Sequence, residues 1–267
     1  MILLVKVDFI DLKERSAKLI ISDTKPSFVN ALRRVMLADL PKLAIEDVIF
    51  YENTSPLFDE IIAHRLGMIP LPTDLKLLVP RDKCSCGGKG CANCTVRYTL
   101  SKEGPCTVYS GDLQPEKETW SVIDPNIPIV KLFEGQRLIL EAEAILGRGR
   151  DHAKWQAVQA PAYKYYPKIE IDQSKLDEDT IKKCIEICPK KILVEKDGKL
   201  VVRDVEKCSL CKSCMEVCEE GAIKVSGDDT KFIFKFETDG SLKAKDALIE
   251  SARILEEKYK DFLESLG

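Results

Sequence analysis

One stretch, Cys208-Ser-Leu-Cys211-Lys-Ser-Cys214-Met-Glu-Val-Cys218, decides what kind of chain this is. Its C-x2-C-x2-C-x3-C spacing is that of bacterial iron–sulfur loops. Three thiolates on one short loop each reach a different iron of the same cube. In two-cluster versions the fourth cysteine of each run ligates the other run's cluster, and a proline follows it. Upstream, Cys184-x3-Cys188-Pro189 is the back half of a second run whose first two ligand positions have lost their cysteines. Cys188, Cys208, Cys211 and Cys214 therefore make one complete ligand set for a single iron–sulfur cluster. Four cysteines favour [4Fe-4S], and loss of the iron at the middle ligand leaves [3Fe-4S]. Cys184 and Cys218 remain from the vanished second site. They are expected within disulfide reach, Cα atoms about 4.4–6.8 Å apart. Zinc or plain disulfides are the rival readings of the whole run.

Outward from that run lies a second cysteine group, Cys84-x-Cys86-x4-Cys91-x2-Cys94, with Gly87, Gly88 and Gly90 between. It suits a tetrahedral zinc site, the glycines permitting the turns that aim sulfurs inward. The one-residue gap in the first pair is short for zinc, which leaves disulfides or free thiols as the alternative. Cys106 reads as a buried small hydrophobe.

The remaining composition bounds the class. The 267 residues include eleven cysteines and two histidines. At this length a chain divides into two or three units and buries a core without staples. Hydrophobic residues at 45% and charged ones at 32% exclude wholesale disorder. A net charge of −3 argues against a surface that grips nucleic acid all over. No apolar run approaches the ~20 residues of a membrane span. The start, MILLVKVDFIDLKERS, alternates apolar and charged residues without a cleavage site, which predicts no signal peptide and a cytoplasmic protein.

Val5, Val7 and Phe9 alternate with Lys6 and Asp8, and Ala17–Ser22 returns, which predicts a β-hairpin. A helix follows from Pro26, with Phe28, Leu32, Val35 and Met36 on one face, closed by Pro41. Residues 43–82 look mixed and extended, with a short helix over Leu57–Leu66 ending at Gly67. Strands are predicted near Thr95–Ser101 and Arg137–Ile145, and Phe232, Phe234 and Phe236 give a strand with an aromatic face. The last helix, Lys243–Leu266, is predicted to be capped by Ser241. Its stripe is Leu248, Ala252, Leu255, Tyr259, Phe262 and Leu266, packing either on its own chain or on a partner.

Catalytic residues are not found. His64 reads as a structural histidine, and His152 as a partner contact. Gly147-x-Gly149 lacks the third glycine of a phosphate loop and follows no βαβ pattern. Asp177-Glu-Asp179 reads as a solvated helix start.

Ser27-Phe-Val-Asn-Ala-Leu-Arg-Arg-Val-Met36, Leu40-Pro-x-x-Ala44 and Asp59-Glu-Ile-Ile-Ala-His-Arg-Leu-Gly-Met-Ile-Pro-Leu71 resemble the assembly subunits of RNA polymerase. These are the bacterial alpha subunit's N-terminal domain and its archaeal and eukaryotic counterparts. A ferredoxin-like insert makes the chain similar to the archaeal form. The resemblance implies an α+β fold. A discontinuous dimerisation domain (1–47, 155–172 and 227–267) would carry an inserted β-rich domain (48–154) and a ferredoxin-like domain (173–226). The Cys84–Cys94 group sits where eukaryotic relatives carry a zinc loop. Gly147-Arg-Gly-Arg-Asp-His-Ala-Lys-Trp155 is similar to the stretch that closes the family's insert domain. The implied role is a non-catalytic scaffold that pairs with the small subunit L through its last helix. The pair then assembles with subunits N and P and the two large catalytic subunits, meeting DNA only through the finished enzyme. Arg33 and Arg34 match the helix that meets a large subunit. The rival from another class is an iron–sulfur electron-transfer subunit, which only the Cys208 run supports.

Overall fold

The computed structural model describes residues 5–219 and 221–267, so the first four residues of the alternating start lie outside it. In chain order the elements are β1 (Lys6–Leu12), β2 (Ser16–Ser22), α1 (Pro26–Ala38), β3 (Pro41–Asn53), α2 (Asp59–Gly67), β4 (Val96–Glu103), β5 (Cys106–Tyr109) and β6 (Gln114–Pro115). Then come β7 (Pro128–Leu132), β8 (Arg137–Arg148), β9 (Val158–Ile171), α3 (Glu178–Ile187), β10 (Leu193–Lys196), β11 (Lys199–Val202), α4 (Ser213–Glu216), β12 (Ile223–Thr238) and α5 (Ala244–Ser265). The fold is thus mixed, with several antiparallel pairings. Two compact units form. One takes in the described residues through Ile10, then Lys18–Asn30 and Ala162–Phe234. The other takes in Asp11–Ala17, Ala31–Pro161 and Lys235–Gly267.

In the first unit, β1, β2, β12 and β9 are sheet neighbours in that order. The aromatic face of β12 is buried here through Phe232 and Phe234, and Tyr163 meets Phe232 edge-on at 5.9 Å. On β2 the pleat buries Ala17, Leu19 and Ile21 in strict alternation. The hairpin partner β1 is different: as an edge strand it is exposed along its whole length, Val7 and Phe9 included. A smaller core under the cysteine run packs Ile181, Ile192, Leu193, Leu200, Ile223 and Val225 beside the β10–β11 hairpin.

In the second unit, β3, β8, β4 and β6 form a sheet in that order, with β8 between β3 and β4. Leu43 faces Leu146, Val48 faces Ala142 and Leu100 faces Leu140 across it. That face, together with Ile62 and Leu66 of α2, makes the main core. Tyr98 lies at its centre, its hydroxyl donating to the Trp120 carbonyl at 2.7 Å. Burial pushes that phenol well above its usual range.

Three sequence expectations are corrected. On α1 the buried row is Val29, Leu32, Val35 and Met36, while Phe28 is only half buried. Ser241 does not cap α5: its hydroxyl donates to Asp239 at 2.5 Å, and the N-cap is Lys243, whose side chain makes no capping hydrogen bond. The α5 stripe also divides. Of the predicted stripe only Leu255 is buried; Leu248 is half buried, and Ala252, Tyr259, Phe262 and Leu266 are exposed together with Leu263, while the row facing the chain is Ala244, Ala247, Ser251 and Leu255. Ser251 joins the buried row because its hydroxyl donates to the Ala247 carbonyl at 2.7 Å.

Candidate metal centres

The Cys84–Cys94 loop leaves a short 3-10 turn, Arg81–Lys83, and rejoins the sheet at β4. Its four sulfurs converge. Cys84 and Cys91 stand 3.6 Å apart, Cys86 and Cys94 3.6 Å, and Cys91 and Cys94 3.9 Å. All four lie within 4.8 Å of one another. A tetrahedron of Zn–S bonds near 2.3 Å has an edge of about 3.8 Å, so the donor set fits one such ion. Gly87, Gly88 and Gly90 all take left-handed backbone, which other residues rarely adopt, so the loop closes in two tight turns. Arg81 ties the base of the loop to the sheet through Glu143 at 3.2 Å and Asp47 at 3.6 Å. Hydrogen bonding with Cys84 pulls the Cys86 thiol down to about 6 against the cost of burial. Four sulfurs brought this close are the metal-free counterpart of a thiolate cage.

The second group is built differently. Cys188 ends α3, Cys208 ends the 3-10 turn Val205–Lys207, and Cys214 lies on α4. Leu210 and Lys212, on either side of Cys211, both have left-handed backbone, which winds the loop around a central space. The four cysteines line one pocket with Ile169, Ile192, Leu193 and Val225. They do not close on a single ion as the first group does. A polynuclear cluster suits them better, since each sulfur then holds its own iron. The Leu210 amide donates to the Cys208 sulfur at 3.4 Å, the kind of bond that tunes such clusters. Burial, then the neighbouring Cys208 and Cys211 charges, push the Cys214 thiol up to about 11. Cys211 is exposed, and the Ser213 amide lowers its thiol.

Cys184 and Cys218 carry free thiols, and both donate to the same carbonyl, that of Cys214, at 3.8 and 3.2 Å. Cys106 packs against the main core from β5 but is only half buried, and it donates to the Glu103 carbonyl at 3.5 Å. His64 is exposed on the last turn of α2, so it is no core histidine. His152 is exposed too, but its Nδ1 accepts from the Lys154 amide at 3.1 Å, a local cap that occupies that nitrogen. Arg34 is exposed and Arg33 half buried.

Other polar features carry no sequence motif. Asp39, almost fully buried, takes an ion pair from Arg150 and another from Lys258 at 2.5 Å. Lys164 of β9 donates to the Glu206 and Cys208 carbonyls, both at 2.6 Å, and burial lowers its ammonium pKa. A lone lysine in Tyr163-Lys-Tyr165 gives no sequence signal of such a role. The Gly147-x-Gly149 pair is explained by packing. A Cβ on Gly147 would enter the Trp155 indole, and one on Gly149 would meet the Leu37 carbonyl.

The sequence matches known proteins. The family model for the RNA polymerase Rpb3/Rpb11 dimerisation domain matches residues 18–259. The chain belongs to that family. Among curated relatives of this dimerisation family, the DNA-directed RNA polymerase subunit Rpo3 of Methanosarcina acetivorans is 46% identical, covering 97% of each chain. The subunit of the same name from Picrophilus torridus is 41% identical over 98% of this chain and 99% of its own. That from Methanothermobacter thermautotrophicus is 46% identical over 91% and 92%. The Rpb3/Rpb11 match spans both described units, so neither is foreign to the family chain. Among the described residues no helix is long and apolar enough to cross a membrane.

Proposed function

We propose that this chain is the assembly subunit of a cytoplasmic DNA-directed RNA polymerase, a scaffold without catalytic residues of its own. The observation that carries the reading is end-to-end similarity to polymerase subunits, 46% identity over 97% of both chains. Nothing in those relatives' names supports an electron carrier.

In this reading 1–47, 155–172 and 227–267 form a discontinuous dimerisation domain, with 48–154 and 173–226 inserted. The partner is a small alpha-like subunit, L, and the exposed apolar half of α5 is the surface it covers. The pair then recruits subunits N and P and the two large catalytic subunits, with Arg33 and Arg34 meeting a large subunit through charge-assisted bonds. Cys84, Cys86, Cys91 and Cys94 hold zinc, a role their tetrahedral spacing supports. Cys188, Cys208, Cys211 and Cys214 hold one iron–sulfur cluster, [4Fe-4S] or [3Fe-4S]. Both are structural, since a site formed only in the folded chain adds its binding energy to folding.

Co-expression with the small subunit tests the reading. The expected product is a one-to-one complex that restores polymerase activity when mixed with the remaining subunits. A chain that stays alone, or enters an oxidoreductase complex instead, would refute it.

A further inference from the structure

We propose that Lys164 is the positioning residue of the iron–sulfur site, holding its first ligand in place and adding a positive charge beside the cluster. This rests on reading Cys188, Cys208, Cys211 and Cys214 as cluster ligands. The Lys164 ammonium donates to two carbonyl oxygens, of Glu206 and Cys208, at 2.6 Å each. These two oxygens belong to the Glu206–Lys207 and Cys208–Ser209 peptides, so one cation fixes the orientation of both. The turn they end is the one that delivers Cys208, whose amide donates back to the Val205 carbonyl at 3.0 Å. With the peptide planes fixed, the direction of the Cys208 side chain is fixed as well. A second lysine, Lys18 of β2, reaches the Glu206 carboxylate at 3.6 Å. Strands β2 and β9 thus both hold the turn on which the first ligand sits.

The charge needs a reason. A half-buried ammonium is costly unless something offsets it, and two neutral carbonyls do so only in part. Among the described residues no carboxylate forms an ion pair with Lys164. A cluster bound by four thiolates carries net negative charge, which would complete the balance. A cation there stabilises the reduced, more negative state and raises the reduction potential.

The test uses the full chain, reconstituted anaerobically with iron and sulfide. It compares wild type, Lys164→Met and Lys164→Arg by iron content, cluster loss to a ferrous chelator and midpoint potential. Losing such an outer-shell partner typically costs 10–100-fold in metal affinity, so Lys164→Met should lose its cluster at least about tenfold faster. Its potential should move negative, and Lys164→Arg should recover most of both. If the methionine variant takes up no cluster, arginine must restore uptake, and its failure to do so overturns the proposal. Equal loss rates and potentials in wild type and Lys164→Met overturn the proposal while leaving the cluster standing. A wild-type chain that assembles no iron–sulfur cluster overturns both the proposal and the reading beneath it.

Discussion

Lys42 illustrates how one side chain can matter more than its neighbourhood suggests. Its ammonium meets Asp239 at 2.5 Å, with the side chains only 4% and 10% exposed. Asp239 also accepts from the Ser241 amide at 3.0 Å and hydroxyl at 2.5 Å, so the carboxylate is held from three directions. Removing one partner of a buried pair leaves the other charge desolvated, a loss of about 3–5 kcal/mol. Lys42→Met should therefore lower unfolding stability by about that amount in a urea titration. Adding Asp239→Asn should recover part of it, because the stranded charge is gone. Gly147→Ala should cost about 1–3 kcal/mol by forcing the Trp155 ring out of its seat, with loss of indole fluorescence order as a second readout. Neither effect is visible in the sequence. Lys42 looks like any surface lysine after a proline, and a glycine does not announce which ring lies upon it.

Elements were more legible than residues, and the reason is periodicity. The alternation of β2, the aromatic face of β12 (where Ile233 is buried as well), the Pro26 start of α1 and the Gly67 end of α2 all follow from local rules and all appear in the structure. The short strands β5, β6 and β7 did not, because two to five residues hold too little pattern to stand out. The cysteine groupings follow from spacing, and the structure brings the first four sulfurs within 4.8 Å of one another and sets the other four cysteines around one pocket, whereas the contacts of Lys164 need the fold. At this scale the cap of α3 gives a pH prediction. Asp177 accepts from Thr180, and those bonds hold its carboxyl below the usual value. A depressed folded value means the cap's contribution is present above the ordinary carboxylate range and disappears as pH falls through the folded value. Amides at the start of α3 should lose hydrogen-exchange protection below about pH 4, the ordinary aspartate range. Asp177→Asn, which keeps the cap without the charge, should remove most of that pH dependence. The Cys84–Cys94 loop gives another test. Cys86→Ser should abolish metal uptake there and deprotect residues 84–95, while the core around Tyr98 keeps its slow exchange.

For the whole molecule the question is what α5 does beyond its own chain. Leu255 is buried against that chain, so Leu255→Asp would damage the fold itself and say little about pairing. The informative positions are further on. Tyr259, Phe262, Leu263 and Leu266 are between 55% and 69% exposed on the last two turns. Four large apolar side chains grouped at one helix end are more than scattered surface hydrophobes, and such a patch marks a surface that associates. Obligate interfaces bury more than about 2,000 Å² in total and resemble a core cut in half, which such a patch can seed but not complete alone. Phe262→Asp places a charge where a dry seam would form, without a counter-ion, at a side chain that is exposed in this chain. It should leave the melting temperature of the isolated chain unchanged and weaken pairing with the small subunit at least about tenfold in a pull-down titration, the factor that corresponds to about 1.4 kcal/mol. Unchanged pairing with Phe262→Asp would move the interface off the end of α5.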